Sequence, residues 1–239
     1  MLFRSKMWNS EAGTYADGYS AEQRTEIICA VKEQLPPDDV QAVHYADVLL
    51  QNIELGNYIN DSGELNEQRD RMMAENVLWI LQQEQARGNS RILISGHNNH
   101  IMQCENAGTP VLGSLLAENL GDGYFAIGTD FYKTVCNLPK PYTGKRITHT
   151  FYSYDPLAKA SKKCGFDVSF LDFSIVPEGS ALMEYIANGV PMGSLGEYYS
   201  ILMNFVPRSY RVQRIPQDAY DAMFFVADAA PIEIGSLNK

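Results

Sequence analysis

Apolar positions along the chain fall into alternating helical and strand-like periods. After Ser20, with Gln23 three residues on as in a capping box, Ile27, Ile28, Val31 and Leu35 recur at helix spacing until Pro36 and Pro37 end the run. A second helix starts near Asp38 or Asp39 and carries Val43, Ala46, Leu49, Leu50 and Ile53 on one side. Together they predict a helical hairpin over residues 20–60, a side layer or a lid over a cleft. The turn cluster Asn60-Asp61-Ser62-Gly63 then opens the longest helix, Glu64 to about Arg87, with Met73, Val77, Ile80 and Leu81 as its buried stripe and Gly88-Asn89 as its stop. On it, Arg71 and Glu75 stand four apart, the spacing of a modest exposed ion pair.

From Arg91 the period changes. Arg91-Ile92-Leu93-Ile94-Ser95, bounded by Gly96, reads as a buried parallel strand. Thr109 as N-cap with Pro110 at the first helical position predicts a helix with Val111, Leu112, Leu115 and Leu116. Residues 124–128 follow as a strand, which residues 128–132 extend. Pro139, Pro141 and Gly144 mark a loop, and a strand over 147–152 places His149 on a solvent-facing edge. Asp155-Pro156 opens a short helix to Lys163, residues 167–173 form a strand, and Pro177 to Ser180 opens a helix closed by Gly189. Residues 191–207 are irregular and aromatic, and 210–215 and 223–227 are strands, the last central because it is nearly all apolar. The predicted architecture is α/β: a mostly parallel open sheet flanked by helices, with an N-terminal helical hairpin, in a single domain over residues 1–239.

Composition narrows the partners. A chain of 239 residues with a formal charge of −10 has no clustered basic face with which to release counterions from nucleic acid, so none is expected as a partner. No apolar stretch is long enough to span a bilayer, and residues 1–8 lack the sustained apolar core of a signal peptide, so a cytoplasmic address and no membrane partner are expected. Residues 9–19 read as irregular. Cys29, Cys104, Cys136 and Cys164 are widely spaced and read as reduced thiols.

Candidate chemistry centres on His97-Asn98-Asn99-His100, directly after the predicted strand. Ligands of open α/β sheets bind outside the carboxyl ends of strands, which is where this arrangement delivers two imidazoles. A zinc site needs at least a third ligand, and beyond the nearby Glu105 no ligand spacing is recognisable, so no metal or other cofactor is expected. Ser95 lacks a GxSxG elbow and Cys104 lacks a basic neighbour, so neither reads as a nucleophile. His44, between Val43 and Tyr45, reads as structural or superficial.

Several ordered motifs carry a resemblance. Arg69-Asp70-Arg71-Met72-Met73-Ala74-Glu75-Asn76-Val77-Leu78-Trp79, then His97-Asn98-Asn99-His100, then residues 121–128 and 220–225, resemble the erythromycin esterase family, with its RDxxMAEN helix, strand and HNxH motif in that order. The resemblance implies an α/β hydrolase of esters, macrolide lactones above all, acting by His-assisted activation of water, and so a place in antibiotic resistance. It puts His97 and His100 in catalytic roles and Arg69 and Asn98 in substrate binding, with a small-molecule ester or lactone as partner. Some family members carry polysaccharide-biosynthesis labels, so fold alone does not fix a substrate. The family's EATHG-like segment, which supplies the water-activating base, has no counterpart here, and the chain reads as beginning inside the family's pattern. The polypeptide alone is accordingly expected to be weakly active or inactive, and the alternative is a noncatalytic binding or remnant domain of the same fold. Oligomeric state is left open by the sequence.

Overall fold

The computed structural model describes residues 8–9, 14–15, 18–141, 143–153, 155–196 and 198–231. Two compact units make up the chain, residues 1–93 and 94–239. In the first, β1 (Trp8–Asn9) pairs antiparallel with β2 (Thr14–Tyr15); the rest of the stretch expected to be irregular lies largely outside the described residues. Helix α1 (Ala21–Gln34) has the expected capping box: Ser20 accepts from the Gln23 N–H while the Gln23 side chain accepts from the Ser20 N–H. Helix α2 (Val40–Leu55) is capped by Asp39 and packs on α1, forming the expected hairpin, with an ion pair between Lys32 and Asp47.

Helix α3 (Ser62–Ala86) starts on an Asp61 side chain that accepts from two backbone N–H groups. The His44 and Trp79 rings stack at 3.7 Å with 5° between their planes, joining α2 to α3, so His44 is structural. Asn76 donates to Gln51 at 2.8 Å across the same pair of helices. Arg71 and Glu75 form the expected exposed pair at 2.9 Å. Of the expected buried stripe of α3, Met73, Val77 and Leu81 are half-buried and Ile80 is 44% exposed, while the fully buried positions are Asp70, Met72 and Ala74.

The second unit is built on one four-stranded sheet, and its topology corrects the expected mostly parallel arrangement. After α4 (Asn98–Ile101) and α5 (Leu112–Leu120) come β3 (Ile127–Pro139), β4 (Arg146–Tyr152), α6 (Pro156–Lys163), β5 (Val168–Asp172), α7 (Ala181–Ile186), β6 (Val190–Gly193), β7 (Arg211–Arg214), α8 (Pro216–Ala219) and β8 (Ala222–Ala229). The sheet order is β4-β3-β8-β5, with β3 and β8 parallel and the two outer pairs antiparallel, while β6 and β7 form a separate antiparallel pair. The residues read as a loop, 139–145, are a hairpin turn: the Lys140 N–H donates to the Lys145 carbonyl at 2.8 Å, which turns the chain back antiparallel. β8 lies between β3 and β5, as its apolar composition predicted.

The other source of the difference is the stretch 91–97. It is extended, with Ile92 and Ile94 half-buried between exposed Arg91, Leu93 and Ser95, the alternation of a strand, yet no described strand pairs with it and Leu93 is 94% exposed. A strand exists only where a neighbour takes up its N–H and C=O groups, so periodicity here gave an extended chain without a ladder. The helix expected from Thr109 also begins later. Thr109 exchanges backbone hydrogen bonds with Asn106 at 2.9 and 3.1 Å around Ala107 and Gly108, both at positive φ, and Ser114 accepts from the Val111 N–H at the start of α5. His149 is half-buried on the edge strand β4, with its ring against Phe151 at 4.7 Å, rather than solvent-facing.

The main core joins Met223 and Phe225 of β8 to Ala158, Ile186, Met192, Met102 and Tyr220. Two glycines allow close packing beside α4, one against backbone and one against a tyrosine ring. A Cβ on Gly113 would lie 2.4 Å from the Ile101 and Met102 carbonyl oxygens, and one on Gly128 would lie 2.8 Å from the Tyr220 ring. Gly113→Ala is therefore expected to lower unfolding free energy by about 1–3 kcal/mol, the cost of forcing atoms into packed space, while Gly196→Ala, with open space at its Cβ, stays within about 0.5 kcal/mol of the parent. Chemical denaturation of both variants measures the contrast.

Candidate functional site

His97 to Ile101 form a single helical turn held to several other elements. His97 is the N-cap of α4, in an extended conformation, and its Nδ1 accepts from the Asn99 N–H at 3.3 Å. The Asn98 amide is spent on one residue of β3: its Nδ2 donates to the Thr129 carbonyl at 2.6 Å, and its Oδ1 accepts from the Thr129 N–H at 3.1 Å and hydroxyl at 3.2 Å. Asn99 donates to the Ser194 hydroxyl at 3.4 Å, and the His100 N–H donates to the His97 carbonyl at 2.8 Å.

The far side of the turn is held as firmly. Tyr220 donates to the Asn98 carbonyl at 3.3 Å and Tyr124 to the Ile101 carbonyl at 2.6 Å. Burial pushes the Tyr124 hydroxyl up to about 12, so it is a permanent donor at any physiological pH. The Gln103 N–H donates to the Ala219 carbonyl at 2.9 Å, and its side chain donates to Asp221. The same Asp221 carboxylate accepts from the Ala126 N–H at 2.7 Å just before β3. One acidic residue thus joins the entry of β3, the entry of β8 and the exit of α4.

Partial removal of the ring from water, and then the neighbouring His100, push the His97 pKa below the ordinary histidine value, against a smaller upward effect of the Leu195 backbone.

Of the residues expected at the site, His97, Asn98 and His100 stand together on this turn, His97 exposed and the other two half-buried. Arg69 is half-buried on α3 in the first unit, beside buried Asp70. Sequence reasoning missed Thr129 and Ser194 as partners of the turn. Gly128-Thr129-Asp130 read as mere strand extension and Ser194-Leu195 as part of an aromatic irregular stretch; their contacts are long-range, and only the polar residues flanked by Gly128 and Gly193 hint at them. Among the described residues, no three His, Cys, Asp or Glu side chains are grouped to hold a metal ion, and no helix is long and apolar enough to cross a membrane.

A mixed sheet with a histidine-bearing turn clamped beside its parallel strands makes this an α/β fold. The chain belongs to the erythromycin esterase family, whose model matches residues 11–229. No curated protein sequence matches it. Among solved structures it is similar to a succinoglycan biosynthesis protein, at TM-score 0.69 and 16% identity over 88% of this chain and 50% of that one. It is likewise similar to a protein from Bacillus cereus, at TM-score 0.65 and 17% identity over 88% of this chain and 51% of that one. Identities this low show the fold alone, and the chain spans about half the length of both structures.

Because folding lowers the His97 pKa, the unfolded chain takes up the proton first as pH falls, and stability contributed by the neutral ring is lost on acidification below about pH 6.5. Titration of the His97 ring by NMR is expected to give a midpoint below that of an unfolded histidine; a midpoint above it contradicts the site as described.

Proposed function

We propose that this protein is a hydrolase of esters or macrolide lactones, in which the two histidines of the HNNH turn assist attack by water. The observation that carries the reading is the anchoring of that turn: side chains of Asn98, Asn99, Tyr124 and Tyr220 fix its backbone, so His100 is presented from a rigid support rather than a loop. Hydrolysis of a lactone needs a base that takes a proton from water and a donor that stabilises the oxygen on which charge develops. We assign the donor role to His100 and an orienting role to His97, whose Nδ1 accepts from the Asn99 N–H. Asn98 positions the turn, its amide being taken by Thr129.

In this reading both units belong to one family domain, since the family match runs through both. A second reading, binding without catalysis, draws on the engagement of the His97 Nδ1 by the Asn99 N–H, which occupies an acceptor that a general base would use.

The test is ring opening of a macrolide lactone, followed by mass spectrometry, together with hydrolysis of an activated aryl ester. Slow turnover that drops about 10²–10⁴-fold in His100→Ala is expected, the usual share of a positioned acid–base group. Lactone binding without turnover establishes the second reading, and turnover indifferent to His100→Ala overturns the assignment.

A further inference from the structure

We propose that the end of the second unit formed by the β3–β4 hairpin tip and the turns after β6 is a docking surface for an anionic lipid bilayer, entered with Ile201, Leu202 and Phe205. The short turn Ile201–Asn204 begins on a Ser200 hydroxyl that accepts from the Leu202 N–H at 3.3 Å, and a second turn, Pro207–Tyr210, follows after Phe205 and Val206. Each turn sends a side chain inward: Met203 and Tyr210 are buried with Phe151 and Tyr199, against which Leu138 and Ile147 of the hairpin pack. The apolar side chains between them stand outside. Ile201 is 63% and Phe205 77% exposed, with Leu202 and Val206 exposed beside them. A group of apolar side chains held out on a packed base and rimmed by polar ones marks an interaction surface, which singly scattered residues do not.

The rim of this group is basic. The Tyr199 N–H donates to the Pro139 carbonyl at 2.9 Å, which brings the hairpin tip with Lys140, Lys145 and Arg146 beside the apolar turn, and Arg208 follows Val206 two residues on. Residues 131–154 and 185–217 together hold seven Lys or Arg against one carboxylate, Glu197, in a chain whose formal charge is −10. Of the seven, Lys133 pairs with Asp228, Arg211 donates to the Ser153 hydroxyl and Arg214 to Asn106, which leaves the other four at this end. The ion pairs among the described residues engage none of those four, and Arg146 donates to the neutral Asn137 side chain. Scattered along the chain, they form no basic run in the sequence and come to one end only through the fold.

Charge and apolarity together select the partner. Anionic headgroups attract Lys and Arg held near them, and aliphatic side chains gain by passing from water to the acyl boundary; these are the two contributions by which proteins bind a bilayer without spanning it. A second copy of this chain would bring two like-charged rims face to face. Nucleic acid would use the cations and Phe205 but has no place for Ile201 and Leu202.

Flotation of the full chain with vesicles tests the surface, comparing equal parts phosphatidylcholine and phosphatidylglycerol with phosphatidylcholine alone. The chain is expected to float with the mixed vesicles only, and less so as salt is raised. Arg208→Gln weakens that binding by about fivefold, the share of one cation near an anionic surface, and Phe205→Ser weakens it as well. Both side chains are exposed, so the variants keep the circular dichroism spectrum of the parent. In Phe205→Trp, brominated acyl chains quench the emission beyond any quenching of Trp8 and Trp79 in the parent. Equal binding to the two kinds of vesicle, no binding to either, binding that neither substitution changes, or binding without quenching overturns the proposal. So does sedimentation showing that the parent is a dimer which Phe205→Ser dissociates, since a second copy would then be the occupant.

Discussion

The structure of the second unit turns on the bidentate hydrogen bonding of Asn98 with the backbone of Thr129. An amide side chain that donates to a carbonyl and accepts from the N–H of the same residue imitates one rung of a β-ladder. It lets a turn that is not a strand dock on β3 as though it were one. The stretch that leads into the turn, residues 91–97, has strand periodicity but no described strand pairs with it, so the turn is held to the sheet at Asn98 rather than along a ladder.

From that rung the remaining order follows. Gly128, one residue before Thr129, leaves room for the Tyr220 ring, whose hydroxyl reaches the Asn98 carbonyl. Gly113 lets α5 press against the backbone of Ile101 and Met102, and Asp221 ties Gln103 to Ala126. The parallel pairing of β3 with β8 carries Thr129 opposite Phe224 and places Asp221 at the mouth of the same pair. The histidines thus owe their position to groups that touch neither ring. Such an arrangement allows a neutral imidazole to stay oriented at a surface where water would otherwise compete for both nitrogens.

Local signals in the sequence were faithful where one segment decides its own fate. The Ser20 and Gln23 box, the Asp155-Pro156 start, the Ser180 cap and the apolar run of β8 all formed as expected, because caps and apolar periods act within a few residues. The family was also legible, since its motifs lie in order along the chain, and so was the clustering of His97, Asn98 and His100. What needed a partner from elsewhere was not legible. Residues 91–95 have the composition of a parallel strand but no described ladder, and β3 turned back through a hairpin. The same holds for Thr129 and Ser194, 32 and 97 positions beyond His97 in the chain, whose contacts with the turn are long-range.

Amide hydrogen exchange at Thr129 tests the central clamp most directly. If the Asn98 side chain closes the rung, Asn98→Ala speeds exchange of the Thr129 N–H by about fivefold, the loss of one hydrogen bond worth roughly 1 kcal/mol, while amides of the β3–β4 hairpin keep their rates. A Thr129 amide that exchanges equally fast with and without the Asn98 side chain would contradict the account.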